Sequence, residues 1–113
     1  MQLYANPAAT TFYDLISKGK ITGEYAMGPG GEYERCCSLQ QSITPYTSDR
    51  YRVEAGELFL YGSDILKISA STHNTGGLPT RIGKVIAEHV YMLPDALSRT
   101  VDGKTTVQFK LYV

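Results

Sequence analysis

Residues 51–71 read YRVEAGELFLYGSDILKISAS, and the reading of this stretch decides the fold. LFLY (58–61) is apolar at every position, as expected of a strand covered on both faces. Gly62-Ser63-Asp64 has turn chemistry. ILKISA (65–70) then resumes an extended pattern, with Ile65, Lys67 and Ser69 facing one way and Leu66, Ile68 and Ala70 the other. Two extended runs around a short polar turn predict an antiparallel pair. YRVE (51–54) reads as a further strand, set off from ELFLY by a tight turn at Ala55-Gly56.

The chain on either side must supply the neighbours of this pair. Upstream, KITGEYAM and EYERCCSLQQSI flank Gly28-Pro29-Gly30-Gly31, which predicts a hairpin over Ile21–Leu39 with a four-residue loop. Tyr25 and Met27 share a face with Ile21, while Tyr33, Arg35, Cys37 and Leu39 alternate on the partner strand. TPYTSD (44–49) is loop chemistry, broken by Pro45. TTFYDLISKG (10–19) predicts a short helix capped by Thr11, with Phe12, Leu15 and Ile16 on one face and Gly19 as its stop. Downstream, TRIGKVIAEHVYML (80–93) carries Ile82, Val85, Ile86, His89 and Leu93 at helical spacing, and Pro94 ends it. A helix is expected there. Residues 100–113 hold an Asp-Gly turn and the alternation Val107, Phe109, Leu111, Val113, the pattern of a half-buried strand.

The expected fold is therefore α+β: a mainly antiparallel sheet of five or six strands, with one or two short helices packed on one face. Its core is expected to hold Phe12, Leu15, Ile16, Leu58, Leu60, Ile68, Ile86, Phe109 and Leu111. The 113 residues contain no linker or repeat and read as a single domain, 1–113.

Eleven basic residues balance eleven acidic ones. Non-specific nucleic-acid binding draws on excess Lys and Arg, so the balance argues against that class. MQLYANPAATTFYDL offers neither the basic nor the apolar region of a secretory signal, and no apolar run approaches the roughly 20 residues that span a bilayer. Cys36 and Cys37 are adjacent, which points to reduced thiols and a cytoplasmic setting, the host's cytoplasm if the chain is viral. No metal site or cofactor is expected. His73 and His89 stand far apart in the chain, and Glu32/Glu34 and Glu54/Glu57 read as water-facing pairs.

Two candidate sites remain. HNTGGLPTRIGK (73–84) is rich in glycine but matches no nucleotide-binding signature: Gly83-Lys84 is followed by Val85, and Leu78 stands where a phosphate loop needs glycine. What survives is an anion cradle of Asn74, Gly76, Gly77 and Arg81, with Arg81 near the expected helix start and His73 as acid–base group; the plainer alternative is a Gly-Gly loop with Thr80 capping that helix. The cradle would serve a small enzyme or ligand-binding domain acting on a phosphorylated or nucleotide substrate. The stronger compositional signal is nine tyrosines with no tryptophan. Tyrosine joins a large apolar ring to a polar tip and is favoured at interfaces. The preferred expectation is a small non-catalytic module that binds a protein partner or self-assembles, such as an inhibitor, an accessory factor on a larger complex, or a subunit of a symmetric or viral assembly. Its contact surface is expected at Tyr25, Tyr33, Arg35, Tyr46, Arg50 and Tyr51, on the hairpin and the Thr44–Arg52 loop.

Overall fold

The chain folds in the order β1 (Gln2–Leu3), α1 (Pro7–Ser17), β2 (Glu24–Gly31), β3 (Glu34–Ser38), β4 (Arg52–Val53), β5 (Glu57–Tyr61), β6 (Ile65–Ser69), β7 (His73–Asn74), β8 (Thr80–Lys84) and β9 (Thr105–Gln108). These elements belong to a computed structural model that describes residues 1–31, 33–85 and 103–108. The central pair is as the sequence predicts: β5 and β6 run antiparallel, with Leu58 opposite Ile68 and Leu60 opposite Leu66. Gly62 turns the hairpin at φ 71°, a conformation that side chains with a Cβ rarely adopt.

Among the described residues, seven strands join in one antiparallel sheet, ordered β1-β8-β5-β6-β3-β2-β9, and β4 pairs with β7 as a separate two-stranded ribbon. The α+β class, the antiparallel sheet and the helix on one face are those expected. The two-residue edge strand β1 takes the sheet past five or six strands. Ala55-Gly56 does not join a hairpin, because β4 leaves the sheet and pairs with β7 instead.

The helix begins five residues earlier than a cap at Thr11 would place it. Asn6 is the cap, its Oδ1 accepting from the Ala9 N–H at 2.8 Å, and Pro7 opens the first turn, where no N–H is needed. Gly19 follows the last turn at φ 69°, as expected of a helix stop. Phe12 and Ala8 drive into a core with Leu58, Leu60, Leu66, Ile68 and Ile82, while Leu15 and Ile16 pack partly buried against it. The core also takes Ile21, Tyr25, Met27, Leu39 and Ile43. Ile86, Phe109 and Leu111 lie outside the described residues.

Two expectations fail for physical reasons. Gly28-Pro29-Gly30-Gly31 is not the hairpin loop but the end of β2, with Gly28 opposite Cys36, Pro29 opposite Arg35 and a bulge before Gly31. The pairing of β2 with β9 spans Glu24–Met27, so Pro29 lies beyond it and no ladder bond there requires its missing N–H. Thr80–Lys84 is a strand, not the start of a helix. Its Ile82 supplies the buried face and it pairs with both β5 and β1. The rest of the expected helix, from Ile86 on, lies outside the described residues.

Tyr25 and Cys37 both belong to the helix side of the sheet. Burial, and then neighbouring Cys36, push the Cys37 thiol up to about 11, and burial pushes the Tyr25 phenol up to about 12. A two-unit rise from the ordinary thiol value of 9.0 leaves about 100-fold less thiolate near pH 8, so iodoacetamide should alkylate Cys37 about 100-fold more slowly than in the urea-unfolded chain. Equal rates by peptide mass spectrometry would contradict this. The same shift makes folding favour the protonated thiol. That contribution is complete below about pH 9 and is lost as pH rises through about 11.

Candidate functional site: a tyrosine-walled cleft under the ribbon

Strand alternation gives the sheet a second face. Glu57, Phe59 and Tyr61 of β5 point away from the helix, beside Lys67 and Ser69 of β6 and Glu34 of β3. The β4–β7 ribbon covers this face. Phe59 and Val53 are fully buried yet belong outside the helix-side core, so each is enclosed between sheet and ribbon. On either side of Phe59 stands a buried carboxylate.

The first is Glu34, whose side chain is only 5% exposed. Lys67 Nζ donates to its Oε2 at 2.8 Å, and His73 Nε2 meets its Oε1 at 2.6 Å. His73 Nδ1 lies 2.7 Å from the Ser71 carbonyl and must donate there, since a carbonyl only accepts. Ser69 Oγ, 3.3 Å from the same nitrogen, is fully buried and donates to the Ser71 carbonyl at 2.6 Å. A serine, a histidine and a glutamate therefore meet, but the hydroxyl is sealed from any substrate. The arrangement fastens β7 to β3 and β6.

The second is Glu57, 2% exposed. Its Oε2 accepts from Arg81 Nη1 and from the Tyr4 hydroxyl at 3.1 Å, and its Oε1 from the Glu54 N–H at 2.7 Å. Burial and the Glu57 carboxylate hold the Tyr4 phenol above its ordinary range. Arg81 Nη2 donates to the Arg52 carbonyl, tying β4 to β8. At the surface, Lys84 donates to Glu54 at 2.6 Å and holds that carboxyl below the usual carboxylate range.

Above the Glu34 cluster opens a cleft of about 470 Å³, bordered among the described residues by Tyr33, Tyr61, Lys67, His73, Asn74 and Thr75. The rings of Tyr33 and His73 are 5.6 Å apart, and Lys67 Nζ stands 4.8 Å from the centre of the Tyr61 ring. Gly77 lets the Tyr61 ring lie against the backbone. A Cβ on it would come within 2.9 Å of the Tyr61 ring.

The predicted residues divide. His73, Asn74 and Gly76 border the cleft and Gly77 seats Tyr61, but Arg81 belongs to the other cluster, engaged by Glu57 and the Arg52 carbonyl. Arg81 lies within a strand, not at a helix N-terminus, so the expected anion cradle is broken in two. Of the expected contact residues, Tyr33, Tyr46 and Tyr51 are exposed, as is Arg50. Tyr25 is 6% exposed and sits in the core, so it offers no surface to a partner. Arg35 pairs opposite Ile68, which puts it on the helix side. Tyr61, Glu34 and Lys67 were missed. Lys67 in the middle of ILKIS was the available signal for this cleft, as Glu57 just before LFLY was for the other cluster, because a charged residue inside a covered strand needs a buried partner.

Among the described residues no cluster of His, Cys, Asp or Glu is arranged to hold a metal ion, and no helix is long and apolar enough to cross a membrane. No family model matches this sequence, and neither curated proteins nor solved structures give a significant match.

Proposed function

We propose that the chain is a small non-catalytic binding module that holds a protein partner, as accessory factor or assembly subunit, through the tyrosines around its ribbon. One observation carries this reading. Among the described residues, the exposed large hydrophobic side chains are Tyr33, Tyr46, Tyr51, Tyr61 and Leu78. All lie in turns, strand ends and loops, and none lies on α1. Their supports are fixed: the Thr75 N–H donates to the Tyr51 carbonyl at 2.9 Å, and the Tyr46 N–H to Thr80 Oγ1 at 3.1 Å. A preordered aromatic surface loses little entropy on association. The engagement of Arg81 and His73 by internal carboxylates favours this reading over chemistry on a phosphorylated substrate. Free thiols at Cys36 and Cys37 are in keeping with a reducing compartment such as the cytoplasm.

Tyr33→Ala with Tyr46→Ala should lower affinity for the partner by roughly 30-fold or more, the range of aromatic hot spots. Partners retained from native lysate by the wild-type chain, and lost by a double variant of unchanged melting temperature, are the expected result. An identical set retained by both would remove the assignment.

A further inference from the structure

We propose that the cleft between Tyr33 and Tyr61 is a binding site for one carboxylate carried on an aromatic or apolar body. This goes beyond the contact reading above and does not depend on it. The volume, about 470 Å³, lies in the usual range of small-ligand pockets. Two phenol rings wall it, and its floor is charged.

The charge on that floor follows from hydrogen-bond geometry. Both oxygens of Glu34 are engaged, one by Lys67 and one by His73. His73 Nδ1 faces the Ser71 carbonyl and Nε2 the Glu34 carboxyl, so both bonds are complete only with one proton on Nδ1 and another between Nε2 and Oε1. Lys67, His73 and Glu34 then leave one positive charge in excess. The carboxylate lies deeper, its side chain 5% exposed against 14% for each cation, so an entering group meets the cations first.

Donors remain for that group. Lys67 carries three N–H bonds; Glu34 takes one, and the Gly30 carbonyl, at 3.4 Å, a weaker second. The Asn74 side-chain amide has no partner among the described residues. A single excess charge suits a monoanion. It disfavours a phosphate dianion, which would face Glu34 without Arg81 to help. A cation is disfavoured because Lys67 already occupies the place between Glu34 and the Tyr61 ring.

The test is nuclear magnetic resonance titration of the full chain with 4-hydroxyphenylacetate, with its neutral amide, with tyramine, and with the capped peptide acetyl-Ala-Phe-Glu-Ala-amide. Saturable shifts of the Asn74, Thr75 and Gly76 amides are expected with the two acids and not with the amide or the amine. The tighter of the two acids separates a free small molecule from a partner's side chain as the source. Lys67→Met should weaken acid binding at least tenfold. Should that variant fail to fold, Asn74→Ala, which removes an exposed amide at the border of the cleft, should keep the fold and weaken acid binding several-fold. Absence of saturable shifts with both acids, or equal binding of acid and amide, would overturn the proposal.

Discussion

Glu57→Ala should destabilise the protein by about 3–5 kcal/mol, the range for removing one partner of a buried ion pair. The carboxylate is almost fully enclosed and serves three donors: Arg81 Nη1, the Tyr4 hydroxyl and the Glu54 N–H. Its loss strands a guanidinium whose Nε already has no hydrogen-bond partner. Stability of a domain this size is about 5–15 kcal/mol, so the variant stands near the edge of folding. Urea denaturation measures the loss directly. Removing both charges, as Glu57→Met with Arg81→Met, should recover much of it, since a buried pair and an apolar replacement of similar volume differ far less. A single variant that loses under about 1 kcal/mol would show that Glu57 is not enclosed as described.

That result bears on how the sequence was read. Glu57 and Glu34 each stand beside another glutamate, and such pairs ordinarily face water. Their burial follows from the ribbon, a pairing between residues about twenty apart that no local period reveals. The central hairpin was legible because its signal is local: an apolar run, a glycine turn and an alternating run lie within fifteen residues. The helix was legible from its apolar face, but its start was not, because Thr11 and Asn6 are both acceptable caps and only the pairing of β8 with β1 fixes which is used. Asn6 also donates its side-chain amide to the Arg81 carbonyl at 2.8 Å, a contact across 75 residues. Thr80–Lys84 was misread for a related reason. Ile82, Val85 and Ile86 fit a helical stripe, while the competing signal was a place in the sheet beside β5. The site was legible only in fragments. Tyr33 and His73 were each singled out for different roles, and the register of β3 against β6, together with the fold-back of β7, brings them to one cleft.

Phe59→Ala should cost about 3–5 kcal/mol, as large-to-small changes at enclosed aromatic positions do. Phe59 is fully buried on the face opposite the helix, where among the described residues the ribbon lies over the sheet. The register places it beside Lys67 on one strand and Arg81 on the other. It therefore separates the two carboxylate clusters and keeps water from both. The truncation leaves a cavity next to two ion pairs, and water entering it would weaken each by raising the local dielectric. Phe59→Leu, which keeps most of the volume, should lose clearly less. Amide exchange then reports where the loss falls. A ribbon that folds with the sheet should show the Thr75 N–H, bonded to the Tyr51 carbonyl, exchanging faster in step with the amides of β5 and β6. A ribbon that opens alone should leave β5 and β6 protected and lower global stability by less than about 1 kcal/mol. In that case the tyrosines would sit on a mobile flap, and a preordered surface could no longer be the reason for their display.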